Sequence, residues 1–151
     1  MSHALRRTVA LISVALLALA GCGDGDSDEP TAAEAGATLK QHITQLLERV
    51  RASDITVTDP GGKNIPCGEG RAMQTYGATG VDNFGSGDPA GLVTNMVGGL
   101  TALGDYTLAD AELGETKREL VSATARTRII LESPAEKRYV VTGRTECLPI
   151  G

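Results

Sequence analysis

Lys117-Arg-Glu-Leu-Val-Ser-Ala-Thr-Ala-Arg-Thr-Arg-Ile-Ile-Leu-Glu132, followed by Ser133-Pro-Ala-Glu136 and by Arg138-Tyr-Val-Val-Thr-Gly-Arg-Thr-Glu-Cys147, decides the fold class of this 151-residue chain. In the first run Val121, Ala123, Ala125, Ile129 and Leu131 are apolar, while Arg118, Ser122, Thr124, Arg126, Arg128 and Glu132 are mostly polar. A period of two puts one face of a strand on a core and leaves the other in water, as an antiparallel sheet allows. The pattern predicts a long strand over Lys117 to Glu132, bent near Thr124-Ala125, and a final strand over Arg138 to Cys147. Ser133 to Glu136 supplies the hairpin between them, which brings Ile129 and Leu131 near Tyr139 and Val141.

Upstream the period changes. Leu39, Ile43, Leu46, Leu47 and Val50 form one stripe of a helix over about Ala32 to Arg51, opened by the capping-box spacing Thr31-Ala-Ala-Glu34. Asp88-Pro89 opens a second helix with buried face Leu92, Val93, Met96, Val97, Leu100 and Leu103, ended by Gly104. Gly98-Gly99 within it point to close packing against a neighbouring backbone. Short strands are expected at Ile55 to Val57, Ala72 to Gly80 and Tyr106 to Leu113, with Asp59-Pro60-Gly61-Gly62 as a turn and a loop up to Gly70. Helix, strands, helix, strands describes an α+β fold of two layers, an antiparallel sheet with two helices on one face.

The N-terminus has a different character. Arg6 and Arg7 precede an apolar run from Val9 to Ala20, too short for a permanent membrane span, and then Leu19-Ala20-Gly21-Cys22. This arrangement resembles the leader and lipobox of bacterial lipoproteins, which implies cleavage after Gly21 and acylation of Cys22. Residues 1–21 then form a signal peptide. Residues 22–30, Cys-Gly-Asp-Gly-Asp-Ser-Asp-Glu-Pro, form an acidic tether, and 31–151 a single domain. Removing the leader leaves 12 basic and 19 acidic residues, a net of −7. Five of those acids lie before Lys40, so the domain itself is nearly neutral.

With Cys22 assigned to lipid, Cys67 and Cys147 remain in a chain expected to face an oxidising compartment, and they are expected to pair. The helical start, a cysteine in a Gly-rich loop and the terminal Gly143-Arg-Thr-Glu-Cys147-Leu-Pro149 are similar to the plan of small cysteine-paired lipoproteins of actinobacteria, including mycobacteria. That resemblance implies a location and a crosslink, and no catalytic residue.

Little in the sequence points to chemistry. Net charge is −5 with four aromatics in all, which argues against a nucleic-acid partner. Cysteines 67 and 147 have no CxxC and no adjacent histidine to make a metal site. His42, the only histidine after cleavage, lies beside the apolar stripe with no Ser or Cys placed as a nucleophile. Gly61-Gly-Lys63-Asn64 lacks the full phosphate-loop pattern. Asp82-Asn83-Phe-Gly-Ser-Gly-Asp88 has oxygen ligands in the wrong order for an EF-hand, and Asp88 is better used as a helix cap. No cofactor motif is present in the sequence.

Arg126, Arg128, Arg138 and Arg144 are expected on the wet sheet face, where they could grip an anionic group. Glu132 and Glu146 lie on the same faces and compete for them as cross-strand ion pairs. The reading that results is a non-enzymatic lipoprotein, anchored to the outer face of the cell membrane by acyl chains on Cys22, binding a protein or small ligand in the cell envelope. A lipid or glycolipid carrier with an apolar cavity, and an envelope hydrolase built around His42 or the Asp82 loop, are the alternatives.

Overall fold

The structure is a computed structural model, and it describes residues 29–85, 87–109 and 113–151. The segment expected to be a leader, Cys22 and most of the expected tether therefore lie outside the described residues. Helix α1 runs Ala32–Arg49 and helix α2 Pro89–Thr101. The strands are β1 (Ser53–Asp59), β2 (Ile65–Gly68), β3 (Arg71–Met73), β4 (Thr75–Val81), β5 (Thr107–Leu108), β6 (Lys117–Ser122), β7 (Thr127–Glu132), β8 (Arg138–Thr145) and β9 (Leu148–Pro149). One sheet has the order β1-β4-β8-β7-β6-β5, a second β2-β3-β9, and every pairing is antiparallel. Both helices pack on one face of the larger sheet, α1 against β4 and β8, α2 against β6, β7 and β8. This is the expected α+β architecture. No helix among the described residues is long and apolar enough to cross a membrane.

The helices start where their caps dictate. Thr31 Oγ1 accepts from the Glu34 backbone N–H, and Glu34 Oε2 accepts from the Thr31 backbone N–H at 2.8 Å, which satisfies two donors that the first turn leaves open. Asp88 accepts from the N–H groups of Ala90 and Gly91, with Pro89 in the first turn, where its missing donor does no harm. Leu39, Ile43, Leu46 and Leu47 meet Leu92, Met96 and Leu100 of α2, and Leu120, Ile129, Leu131, Tyr139 and Val141 of the sheet, in one buried cluster. Gly143 allows α1 to lie close to the sheet, since a Cβ there would stand 2.6 Å from Leu39 Cδ1.

The stretch predicted as one long strand is two. Ala123 to Arg126 turn the chain, and β6 and β7 pair with each other, Leu120 opposite Ile129 and Ser122 opposite Thr127. The buried parity consequently changes within the run, from Leu120 and Ser122 on β6 to Thr127, Ile129 and Leu131 on β7. The turn contains no Gly, Asn or Pro, so nothing local announces it. Asp105 holds it instead, accepting from Ser122 Oγ and from the N–H and hydroxyl of Thr124, and Arg126 closes it with φ at +54°. In the next hairpin Leu131 lies opposite Val141 as expected, while Ile129 faces Gly143.

Three smaller departures follow the same logic. The Ala72 to Gly80 run is interrupted at Gln74, which separates β3 from β4. The Cys67 loop contributes β2 to the second sheet, and among the described residues of the Tyr106 to Leu113 segment strand structure is limited to Thr107–Leu108. Glu29, placed in the tether by composition, is gripped by two nitrogens of Arg71 at 3.0 and 3.3 Å and by Arg126 at 2.9 Å. Arg71 also donates to the carbonyl of Cys147, which ties the root of the domain to its C-terminal segment. Gly151 ends against Thr31.

The two glycines of α2 have opposite surroundings. A Cβ on Gly99 would stand 2.8 Å from Leu46 Cδ1, which accounts for the expected close packing, whereas a Cβ on Gly98 would have no atom within 4 Å. Gly98 is exposed in a helix interior, so Gly98→Ala is expected to stabilise the domain by about 1 kcal/mol. Urea unfolding of the two proteins checks this, and a loss of stability would mean that the open space is not as described.

Candidate functional site

Cys67 and Cys147 are joined in a disulfide across a sequence separation of 80, as expected from the sequence. The four arginines, by contrast, do not form one grip. Arg128 and Arg144 are direct neighbours across β7 and β8, lining a shallow groove of about 350 Å³ with Thr75, Glu119, Ile130 and Thr142. Arg138 begins β8, six residues from Arg144 or about 20 Å along the strand. Arg126 leaves the face altogether, engaged by Glu29 and by Glu146, whose Oε2 is 2.9 Å from Arg126 Nε. Of the two acids weighed against the arginines in the sequence, Glu146 pairs with Arg126, whereas Glu132 pairs with Lys117, and Arg128 is paired across the strands with Glu119. The physical reason is the hairpin: a turn at Arg126 moves that side chain off the strand on which alternation had placed it.

His42 is half-buried on α1, with Nδ1 2.8 Å from Tyr106 Oη, which is in turn 2.9 Å from Thr127 Oγ1. A groove of about 420 Å³ beside it is lined by Glu34, Thr38, Leu103 and Asp105 among others. Burial pushes the imidazole pKa down against the opposing charge of Asp105, and burial raises that of Tyr106. The hydroxyls of this groove and of the His42 relay are committed to partners, Thr38 to the Glu34 carbonyl, Thr124 to Asp105 and Thr127 to Tyr106. A histidine with a depressed folded pKa stabilises the fold fully above its unfolded value, about 6.5, and that contribution is lost as pH falls through the folded pKa. Stability is therefore expected to decline from pH 7 downward, and His42→Gln to flatten that part of the slope. Urea midpoints between pH 7.5 and 5 measure it, and identical slopes would remove His42 as the cause.

The larger groove lies elsewhere. It has a volume of about 530 Å³ and opens between the last turn of α1 with its exit (Arg49, Val50, Arg51), the loop after β4 (Asp82, Phe84), and α2 (Asn95, Gly98, Gly99), over Tyr139. Asp82 is only 3% exposed. Its backbone N–H donates to the Lys137 carbonyl and its Oδ1 accepts from the Phe84 N–H at 3.0 Å. Oδ2 is buried and has no hydrogen-bond partner among the described residues. Above it, Phe84 is 70% exposed with the Arg51 guanidinium 5.5 Å from its ring centre, a cation–π arrangement. Asp88 of the same loop is consumed as the α2 cap, and among the described residues no three His, Cys, Asp or Glu converge as a metal site.

Sequence reasoning singled out the Asp82 loop and the Gly98-Gly99 pair separately and missed that they share a wall. The available signal was Phe84, the single phenylalanine of the chain, standing in a Gly- and Asp-rich loop where no core could use it. Compared with known protein families, curated proteins and solved structures, the chain has no significant match.

Proposed function

We propose that the chain is a bacterial lipoprotein held on the outer face of the cell membrane through acyl chains on Cys22, and that its domain binds a small ligand or a protein in the cell envelope without catalysing a reaction. The observation that carries this is the Leu19-Ala20-Gly21-Cys22 junction at the end of a charged and then apolar leader. The Cys67–Cys147 bridge supports it, because such a crosslink persists in an oxidising compartment. An anchor of two or three acyl chains gives stable attachment, at about 0.8 kcal/mol per buried methylene.

A binding role is supported by the open groove at Asp82. The Leu, Ile and Met side chains that a lipid carrier would need around a cavity are packed together in the core. The test is to express the full chain in a lipoprotein-processing bacterium beside Cys22→Ser. The expected result is an N-terminal peptide starting at acylated Cys22 and a membrane-bound protein, with the variant unacylated and lost from mature membrane-bound material. A mature protein that still begins at Met1, or has an unmodified thiol at position 22, removes the envelope assignment.

A further inference from the structure

We propose that the groove between α1, α2 and the Asp82 loop binds a small zwitterion, an α-amino acid or dipeptide, with its ammonium on Asp82 and its carboxylate toward Arg49 and Arg51. The proposal rests on the reading of the domain as an envelope binding module and adds the class of ligand.

The floor of the groove supplies the first half of the argument. Asp82 Oδ2 is buried without a donor among the described residues, while the other oxygen of the same carboxylate is already used by the Phe84 N–H. Buried polar atoms in folded proteins are almost always hydrogen-bonded, and a carboxylate oxygen left bare costs stability. Asp82 is one of the residues that line the open groove, so an incoming N–H donor meets this carboxylate there, and Oδ2, closed to water in the unliganded domain, is uncovered by a small shift of the loop that carries it.

The mouth supplies the other half. Arg49 and Arg51 are both exposed and both line the groove, so an acid lies below two bases. A purely cationic ligand must pass two guanidinium groups to reach Asp82. A purely anionic ligand is drawn in by them and then meets a buried carboxylate. Only a ligand that carries both signs is matched throughout, and discrimination comes from the mismatches as much as from the matches. Exposed Phe84 and the bare helix surface at Gly98 leave room for an apolar side chain beside the charged groups. The volume of about 530 Å³ falls in the usual range for small-molecule sites.

The test titrates the full-length protein in detergent, followed by NMR shifts of Phe84 and Gly98. The probes are L-leucine, leucyl-leucine, isopentylamine, which lacks the carboxylate, and 4-methylpentanoate, which lacks the ammonium. Saturable shifts are expected with both zwitterions, and binding at least tenfold weaker with the amine and with the acid. Asp82→Asn is expected to weaken leucine binding at least tenfold. Gly98→Leu, at an exposed position with space around it, is expected to fill the groove and abolish the shift of Phe84, the probe that remains in this variant, while the rest of the spectrum is retained.

No saturable shift in spectrally intact protein overturns the proposal. Equal binding of the amine or the acid does so too, as does leucine binding that survives both substitutions. The mass of the same preparation reports acylation of Cys22. An acylated protein that ignores zwitterions loses only the ligand class, and an unacylated one that binds them loses only the envelope reading.

Discussion

Reducing the Cys67–Cys147 bridge, or replacing both cysteines by alanine, is expected to lower the unfolding free energy by about 2–4 kcal/mol. The loop-entropy model for a closed loop of 80 residues gives about 4.5 kcal/mol as a ceiling. The observed loss should fall below that, because the bridge fastens a marginal element. Strand β2 is exposed at all four of its residues and is held by β3 alone, while Cys147 leads directly into the two-residue β9. Two-stranded pieces of this size do not persist in water unaided. Loss of the crosslink should therefore release β2 first, and amide exchange at Ile65 to Gly68 should accelerate before that of the larger sheet. For a domain whose whole stability is of the order of 5–15 kcal/mol, the change is large. Urea unfolding of the oxidised and reduced protein measures it. Coincident midpoints would show that the three-stranded sheet stands without its crosslink.

Leu46→Ala is expected to cost about 2–5 kcal/mol, the range for a fully buried leucine whose cavity collapses only in part. What distinguishes this site is its neighbour. Gly99 of α2 is so close that a methyl group there would stand 2.8 Å from Leu46 Cδ1, so Gly99→Ala alone should destabilise by overpacking, by about 1–3 kcal/mol. In the Leu46→Ala background the same methyl enters the vacated space. The double variant is then expected to be more stable than the sum of the two single losses by about 1 kcal/mol or more. A double-mutant cycle by denaturant titration reads this directly. Strict additivity would mean that the helices do not meet at this pair.

The two helices were legible because each carried three agreeing signals: a capping residue, a 3.6-residue apolar period and a polar back face. The last hairpin was legible because Ser133-Pro-Ala-Glu136 marks a turn between alternating runs. What failed was the Ala123–Arg126 turn, whose cause is remote. Asp105, about twenty residues earlier, supplies the acceptors that bend the chain, and no window around Thr124 contains that information. The displacement of Arg126 from the arginine face is the same error carried forward. The small sheet escaped notice because β2, β3 and β9 are each too short for a period to register, and their pairing is made across the chain. The groove was hidden for a related reason. Phe84, Gly98, Arg51 and Tyr139 come from four separate stretches, and only the packing of α1 against α2 assembles them.

The placement of Thr31 beside Gly151 has a practical consequence. Helix α1 starts at that pole and runs about 27 Å before reaching Arg49, so the two ends of the folded chain share one side of the molecule and the Asp82 groove occupies the opposite side. If the domain is held by acyl chains on Cys22 as proposed, the groove proposed as its binding site lies on the side away from the point of attachment, like a lamp on a bracket. A fluorescent label or affinity handle appended after Gly151 would hang next to Thr31 and leave that groove unobstructed.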